Sequence, residues 1–324
     1  MLSYIIRRTL YMLPTLLIIS FVSFGIIQLI PGDFLNQYRM NPRFDPETLQ
    51  QFAKNFGLDK PWIVRYGIWM KNILTRGDFG YSFEMHQPVT SLFLQRLPAT
   101  VLISFPVFLF VWLLSLPIGI YSATHQYSLG DHAFTFLGFV GLSIPNFFFA
   151  LVLMYVLVVY LGSGSVGGLF SQAYISAPWS LAKFKDYLWH LWPVVIVIGT
   201  SSMAGLLRYM RGNLLDILGM QYVKTARAKG LAERIVIYKH AVRNAVNPLI
   251  TMFGMSLPDL ISGSLITAII MDLPNVERLY WDALMKQDEY VVMTVLMFFS
   301  VALLMGNLLA DIMLAWVDPR IRYD

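Results

Sequence analysis

The sequence predicts an all-α membrane protein with six transmembrane helices and both termini cytoplasmic. Three observations carry this. The 324 residues are 57% hydrophobic and only 13% charged, with mean hydropathy +0.60, where a soluble domain carries about 25% charged residues. The apolar residues gather into stretches near the roughly 20 that a helix needs to cross a bilayer core of about 30 Å. Lysine and arginine in the short connections fall mainly on one side.

The first stretch, Thr9–Ile30, is oily, with no charge between Arg8 and Asp33. It is too long for the apolar core of a secretory signal, and no small-residue cleavage site follows. The second runs over Leu97–Tyr121 and the third over Ala133–Leu161, ended by the glycine-rich GSGSVGG at 162–168. The fourth is Leu188–Leu207. The fifth starts at Pro248, a residue suited to the first turn of a helix, and reaches Ile270; the sixth is Tyr290–Val317. Counting Arg7 and Arg8, eight cations between 208 and 245, and Arg320 and Arg322, one face carries twelve. The other has four in its shorter loops: Lys183, Lys185, Arg278 and Lys286. The richer face is the cytoplasmic one.

The organisation that follows is a first transmembrane helix at 1–30, an external scaffold or cap at 31–94, and a core of helices two to six at 95–317. A cytoplasmic loop at 209–245 lies inside that core, and a cytoplasmic tail covers 318–324. The 31–94 segment is too long for a plain connector. It alternates turn signals (PGD, NPRFDPET, RGDFG) with short amphipathic pieces and aromatics such as Trp62, Tyr66, Trp69 and Phe79. Asp45–Pro46 marks a helix start there.

The densest charge lies in YVKTARAKGLAERIVIYKHAVRNAVNPLI, residues 222–250. TARAKG ends one helix, with Gly230 where a left-handed cap is needed. A second helix follows, with Ile235, Tyr238 and Val242 as its apolar stripe. A merely solvated connection would account for the charge but not for the alanine and glycine pattern.

This stretch resembles the cytoplasmic coupling loop, the EAA loop, of binding-protein-dependent ABC importer permeases of the dipeptide/oligopeptide B-type. The likeness extends in order through IIRRTLYMLPTLLIISFVSFGIIQLIPGD, GLDKPWIVRYGIW, RGDFGYSF, RLPAT, SIPNFFF and DPRIRY. It implies the type I ABC importer permease fold, with Thr225, Ala226, Arg227, Lys229, Gly230 and Glu233 forming a coupling helix that docks on an ATPase subunit. It further implies a heterodimer with a homologous second permease, two cytoplasmic ABC ATPases binding ATP and Mg, an external solute-binding protein, and a bacterial or archaeal inner membrane. Di- and oligopeptides are the expected cargo; oligosaccharide, nickel and glutathione are carried by similar proteins. The chain departs from the family after its fifth span. Ala268 stands where a glutamate is usual, and Pro274-Asn275-Val276-Glu277 replaces a Pro-Gly-x-Gly turn.

Chemistry in the chain itself is not expected. A P-loop needs a Gly-Lys pair, and the sequence contains none. Zero cysteines exclude thiolate metal sites, and the five histidines match no ligand spacing. No nucleic-acid motif accompanies the net charge of +5. Intramembrane ionisable residues mark pathways by default, so Asp259, with Ser256 and Ser262 beside it, is the candidate for the translocation path. A buried aspartate paired with hydroxyls or a neighbouring subunit is the alternative, and Asp311 is read as snorkelling or pairing near the interface. An ion-gradient-driven transporter is the competing function. It would call for inverted repeats and several midplane charges, and it has no use for an ATPase-docking turn. A membrane scaffold without transport would have no use for one either.

Overall fold

The computed structural model describes residues 2–29, 45–55, 57, 59–82, 84–164, 166–256 and 265–317. Four of its helices are long and apolar enough to cross a membrane: Tyr4–Ile27, Val89–Thr124, Leu181–Leu218 and Glu289–Trp316. A fifth crossing is available if Leu129–Ser143 and Asn146–Tyr160 count as one bent span. By packing, the chain divides into two compact units. One gathers Leu2–Pro98 with Asn275–Leu304; the other gathers Ala99–Pro274 with the chain from Met305.

In the first unit, α1 (Leu2–Ile27) keeps its hydroxyls satisfied within the helix. Thr9 Oγ1 donates to the Ile5 carbonyl at 2.8 Å and Thr15 Oγ1 to that of Tyr11 at 2.8 Å, as a polar group in an apolar setting must. The segment after it carries α2 (Pro46–Asn55) and α3 (Trp62–Arg76). Proline opens α2, Glu47 lies in its first turn and Lys54 in its last, matching the helix dipole. The third helix stops at Gly77, left-handed at φ 63°, whose N–H bonds the Ile73 carbonyl at 3.0 Å.

That helix packs against the first through aromatic rings. Phe24 and Trp69 are buried with Met293, and Trp62 and Tyr66 lie against them. Trp69 Nε1 donates to the Phe79 carbonyl at 2.9 Å. A two-residue ribbon, β1 (Tyr81–Ser82) antiparallel to β2 (Gln87–Pro88), leads directly into α4 (Val89–Thr124). The second long helix therefore starts before the expected Leu97. Its 36 residues make a rod of about 54 Å at 1.5 Å per residue.

In the second unit the third apolar stretch is not one helix. α5 (Leu129–Ser143) and α6 (Asn146–Tyr155, continued by the π-helical Val156–Tyr160) meet at 98°. Proline disfavours the helical conformation in the residue before it. Ile144, preceding Pro145, is extended at φ −90°, ψ 118°, and the chain bends there. Such a break is recognisable from SIPN, which the hydropathy reading passes over.

α7 (Leu181–Leu218) is also longer than the expected Leu188–Leu207. It is capped by Ser180, whose hydroxyl accepts from the Lys183 N–H at 3.2 Å. Lys183 itself is buried, its Nζ donating to the Ala177 carbonyl at 2.6 Å and lying 4.7 Å from the centre of the Phe170 ring. This cation–π arrangement fastens the preceding loop. Arg208 and Arg211, read as part of a connection, are thus on the helix.

The expected fifth span, Pro248–Ile270, is described as α10 (Asn247–Met255) and α11 (Leu265–Ile270). Between α7 and α10 lie α8 (Gln221–Ala228) and α9, which is α-helical over Glu233–Ile235, π-helical over Val236–Val242 and α-helical again over Arg243–Ala245. The last two elements are α12 (Val276–Met285) and α13 (Glu289–Val317). Helices cross closely in this unit. A Cβ on Gly254 would stand 2.5 Å from both the Gly306 carbonyl oxygen and the Ala310 Cβ, so only glycine fits, as expected where membrane helices pack on small residues.

Candidate functional site

The basic turn is built on a small apolar core. Met210 and Leu214 from the end of α7, Val223 and Ala226 from α8, Val236, Ala241 and Ala245 from α9, and Leu249 from α10 are buried together. The expected stripe of Ile235, Tyr238 and Val242 does not form: Ile235 and Tyr238 are exposed. The cause is the π turn, whose i→i+5 bonding shifts the buried face. Val236 and Ala241, five apart, point into the core instead.

Helix α8 ends in a Schellman motif. The Leu231 N–H bonds the Ala226 carbonyl at 3.4 Å and the Gly230 N–H bonds that of Arg227 at 2.9 Å, the paired 6→1 and 5→2 bonds that satisfy a helix's last carbonyls. Gly230 is left-handed at φ 75°, so a side chain there would be strained. Beyond the glycine and its two chain neighbours, no atom of the described residues lies within 4 Å of where its Cβ would stand. The outer side of the turn is open to close approach.

The other predicted residues of this turn arrange themselves around that glycine. Thr225 Oγ1 donates to the Gln221 carbonyl at 2.9 Å. Lys229 is exposed and its N–H returns to the Thr225 carbonyl at 3.0 Å. Arg227 and Glu233, read as contacts for a partner, pair with each other across the turn. Arg227 Nη2 donates to Glu233 Oε1 at 2.7 Å, and its Nε lies 3.2 Å from both carboxylate oxygens. The bond to Glu233 raises the guanidinium pKa, and the bond to Arg227 lowers that of the carboxyl. Asn244 Nδ2 donates to the Tyr222 hydroxyl at 3.0 Å, tying α9 back to α8.

Of the candidate path residues, Asp259 and Ser262 lie outside the described residues. Ser256 is half-buried at the end of α10 and its hydroxyl donates to the Phe253 carbonyl at 2.9 Å. No cluster of metal-ligating side chains occurs among the described residues.

Two charge constellations escaped the sequence reading. One is in the second unit, where Asp131, 2% exposed, receives both Arg211 Nε and Nη2 at 2.8 Å. A signal for it exists. Asp131 is the only Asp, Glu, Lys or Arg between Arg96 and Lys183, and so solitary a charge in apolar sequence requires a partner.

The other is in the first unit. Arg65 pairs with Glu289 at 3.1 Å, with Gln28 bonded to both, and Ser82 donates to Asp288. At the departed turn, Asn275 caps α12 by accepting from the Arg278 N–H at 3.0 Å. Glu277 follows it, 6% exposed, with Oε2 lacking a hydrogen-bond partner among the described residues. Burial pushes its pKa from the ordinary 4.5 to about 8, against the weaker opposing effect of a bond to Asn275.

Comparison with known proteins covers the whole chain. Residues 115–323 match the family described as "Binding-protein-dependent transport system inner membrane component", and residues 1–104 match its N-terminal counterpart. The chain is 40% identical over 324 residues to the oligopeptide transport system permease protein AppB of Bacillus subtilis (strain 168), covering 100% of both. It is 32% identical to the di/tripeptide transport system permease protein DppB of Pseudomonas aeruginosa (strain UCBPP-PA14), covering 100% of this chain and 99% of that one. It is 31% identical to the peptidoglycan transport system permease protein YejB of Agrobacterium fabrum (strain C58 / ATCC 33970), with 99% and 98% covered.

Proposed function

The chain belongs to the family of binding-protein-dependent transport system inner membrane components, and we propose that it is one permease subunit of an ATP-driven importer of di- and oligopeptides. The cargo follows from the oligopeptide and di/tripeptide transport systems to which the AppB and DppB relatives belong, and the likeness to them runs end to end. In this reading the chain crosses the membrane six times, with α1, α4, the bent α5–α6 pair, α7, the 247–270 segment and α13. Both termini face the cytosol, and the 31–94 segment is external.

The observation that carries the mechanism is the Schellman-capped turn at Ala226–Gly230. It is anchored to the core on its inner side and open to approach at Gly230. We infer that an ABC ATPase grips this turn, one on this subunit and one on a homologous second permease. ATP-driven closure of the two ATPases brings the turns together and switches the pore from inward- to outward-facing. The external binding protein supplies the peptide, and Asp259, Ser256 and Ser262 line its path. Small residues permit the close approach, while the surrounding Lys224, Lys229 and Arg234 set orientation through charge.

Reconstitution of the full complex in liposomes tests the reading. Uptake of labelled peptide is expected to need ATP, both ATPases and the binding protein. Uptake that persists with hydrolysis-dead ATPases and follows an imposed ion gradient would overturn it, as would a purified complex lacking any ATPase.

A further inference from the structure

The Asp131–Arg211 pair lies outside the turn yet is joined to it through a continuous solid path. Asp131 is in the first turn of α5, where its own N–H donates to the Ser128 hydroxyl at 3.2 Å. Its carboxylate is fully engaged. Oδ1 accepts from Arg211 Nε at 2.8 Å and Thr135 Oγ1 at 3.3 Å; Oδ2 accepts from Arg211 Nη2 at 2.8 Å and the Tyr127 N–H at 3.0 Å. Arg211 stands in the last two turns of α7, next to Met210 and near Leu214, both fully buried against Val223 and Ala226 of the coupling helix. At its other end α5 runs into the 98° bend at Ile144–Pro145.

Around the pair α7 also meets its neighbours through Gly119 against Met210 and Gly141 against Thr200 at close range, and Arg208 lies over the Phe139 ring of α5, 5.1 Å from its centre. A cation over a ring face is held less directionally than a two-pronged ion pair. The planar bidentate pair has one geometry and resists both rotation and extension, and separating it strands the buried Asp131 carboxylate.

We propose that Asp131 and Arg211 are positioning residues for transport, a rigid tie that makes the bent 129–160 segment move with the coupling turn when the ATPases close. The proposal rests on the importer reading above. Its prediction is a change in the ratio of peptide taken up to ATP hydrolysed, measured on the assembled complex in liposomes. Asp131→Asn removes the charge and is expected to leave assembly and basal ATP hydrolysis intact while lowering that ratio about tenfold, within the usual range of coupling between separated sites. Because the chain has no cysteine, an Asp131→Cys/Arg211→Cys double variant can be bridged by a bis(methanethiosulfonate) reagent, each thiolate displacing methanesulfinate to form a reducible disulfide. Bridging is expected to restore the ratio and reduction to abolish it again.

An unchanged ratio in assembled Asp131→Asn complexes overturns the proposal, as does a bridged variant that stays uncoupled. Should Asp131→Asn fail to assemble, Arg211→Lys decides. It keeps the charge but loses the two-pronged geometry, and a normal ratio there overturns the proposal equally. Failure of the wild-type complex to import a labelled dipeptide with ATP would instead sink the importer reading itself.

Discussion

At the turn around Gly230, Arg227 and Glu233 pair in solvent, their side chains 42% and 55% exposed. In the other unit, Arg65 and Glu289 pair at 10% and 11%, and Glu277 is buried with one oxygen unbonded among the described residues. The contrast separates two uses of charge. Exposed pairs cost little to rearrange and suit a surface that a partner engages. Buried ones are held by the cost of leaving a stranded ion without partner or solvent, and suit a scaffold.

The comparison breaks if the buried pair proves expendable. Arg65→Ala removes the cation paired with buried Glu289, and loss of one partner of a buried pair costs about 3–5 kcal/mol. A large drop in the melting temperature of the purified complex is the expected result.

Glu277 sharpens the comparison through pH. Its folded pKa, raised to about 8 from 4.5, means that the folded chain holds a proton the unfolded chain releases between those values. Stability therefore falls as pH rises from 4.5 to 8 and is lowest above 8. The cost at high pH is at most about 5 kcal/mol, at about 1.36 kcal/mol per unit. Glu277→Gln should flatten this slope in melts taken from pH 5 to 9. An identical slope in the variant would remove Glu277 as its source.

At the exposed turn the expected effects on stability shrink while those on function do not. Gly230→Val forces a β-branched residue into the left-handed region, at about 1–2 kcal/mol, a factor of about 5–30 in any equilibrium that needs the turn formed. ATPase co-purification should weaken by that order with the melting temperature nearly unchanged. Arg227→Ala is the smallest. An exposed pair contributes about 0–1 kcal/mol, so melts should move little, and any loss of ATPase affinity should fade as salt rises.

Much of this was legible in the residues, and the reasons for the rest are physical. Charge-poor stretches announce helices because a bilayer requires them, and Gly230 announces a left-handed cap because other residues are strained there. Hydropathy alone missed Pro145, since an average over a window passes over one residue that turns the chain through its neighbour's backbone. It also cut α7 short at Arg208, because a helix continues past the bilayer for as long as its packing does. The stripe on α9 failed for a related reason: periodicity assumes 3.6 residues per turn, and the π-helical run does not keep it. Arg227 and Glu233 were read outward because a sequence cannot show that a turn brings them within 2.7 Å. Two of the three path residues fall outside the described structure, so Asp259 and Ser262 rest on the sequence alone.

The π-helical run Val236–Val242 has a consequence for how the family's loops can vary. A π turn holds a surplus residue relative to an α-helix, and each α-helical residue turns the chain by about 100°. Deleting one residue there would let the backbone relax to ordinary winding with its two ends in nearly the same register, because the lost residue and the tighter winding offset each other. Deleting one from the α-helical residues around it has no such outlet and would swing the turn at Gly230 by about 100° relative to Leu249, so the π run is the place in this loop where length can change by one and leave the turn's direction nearly unaltered.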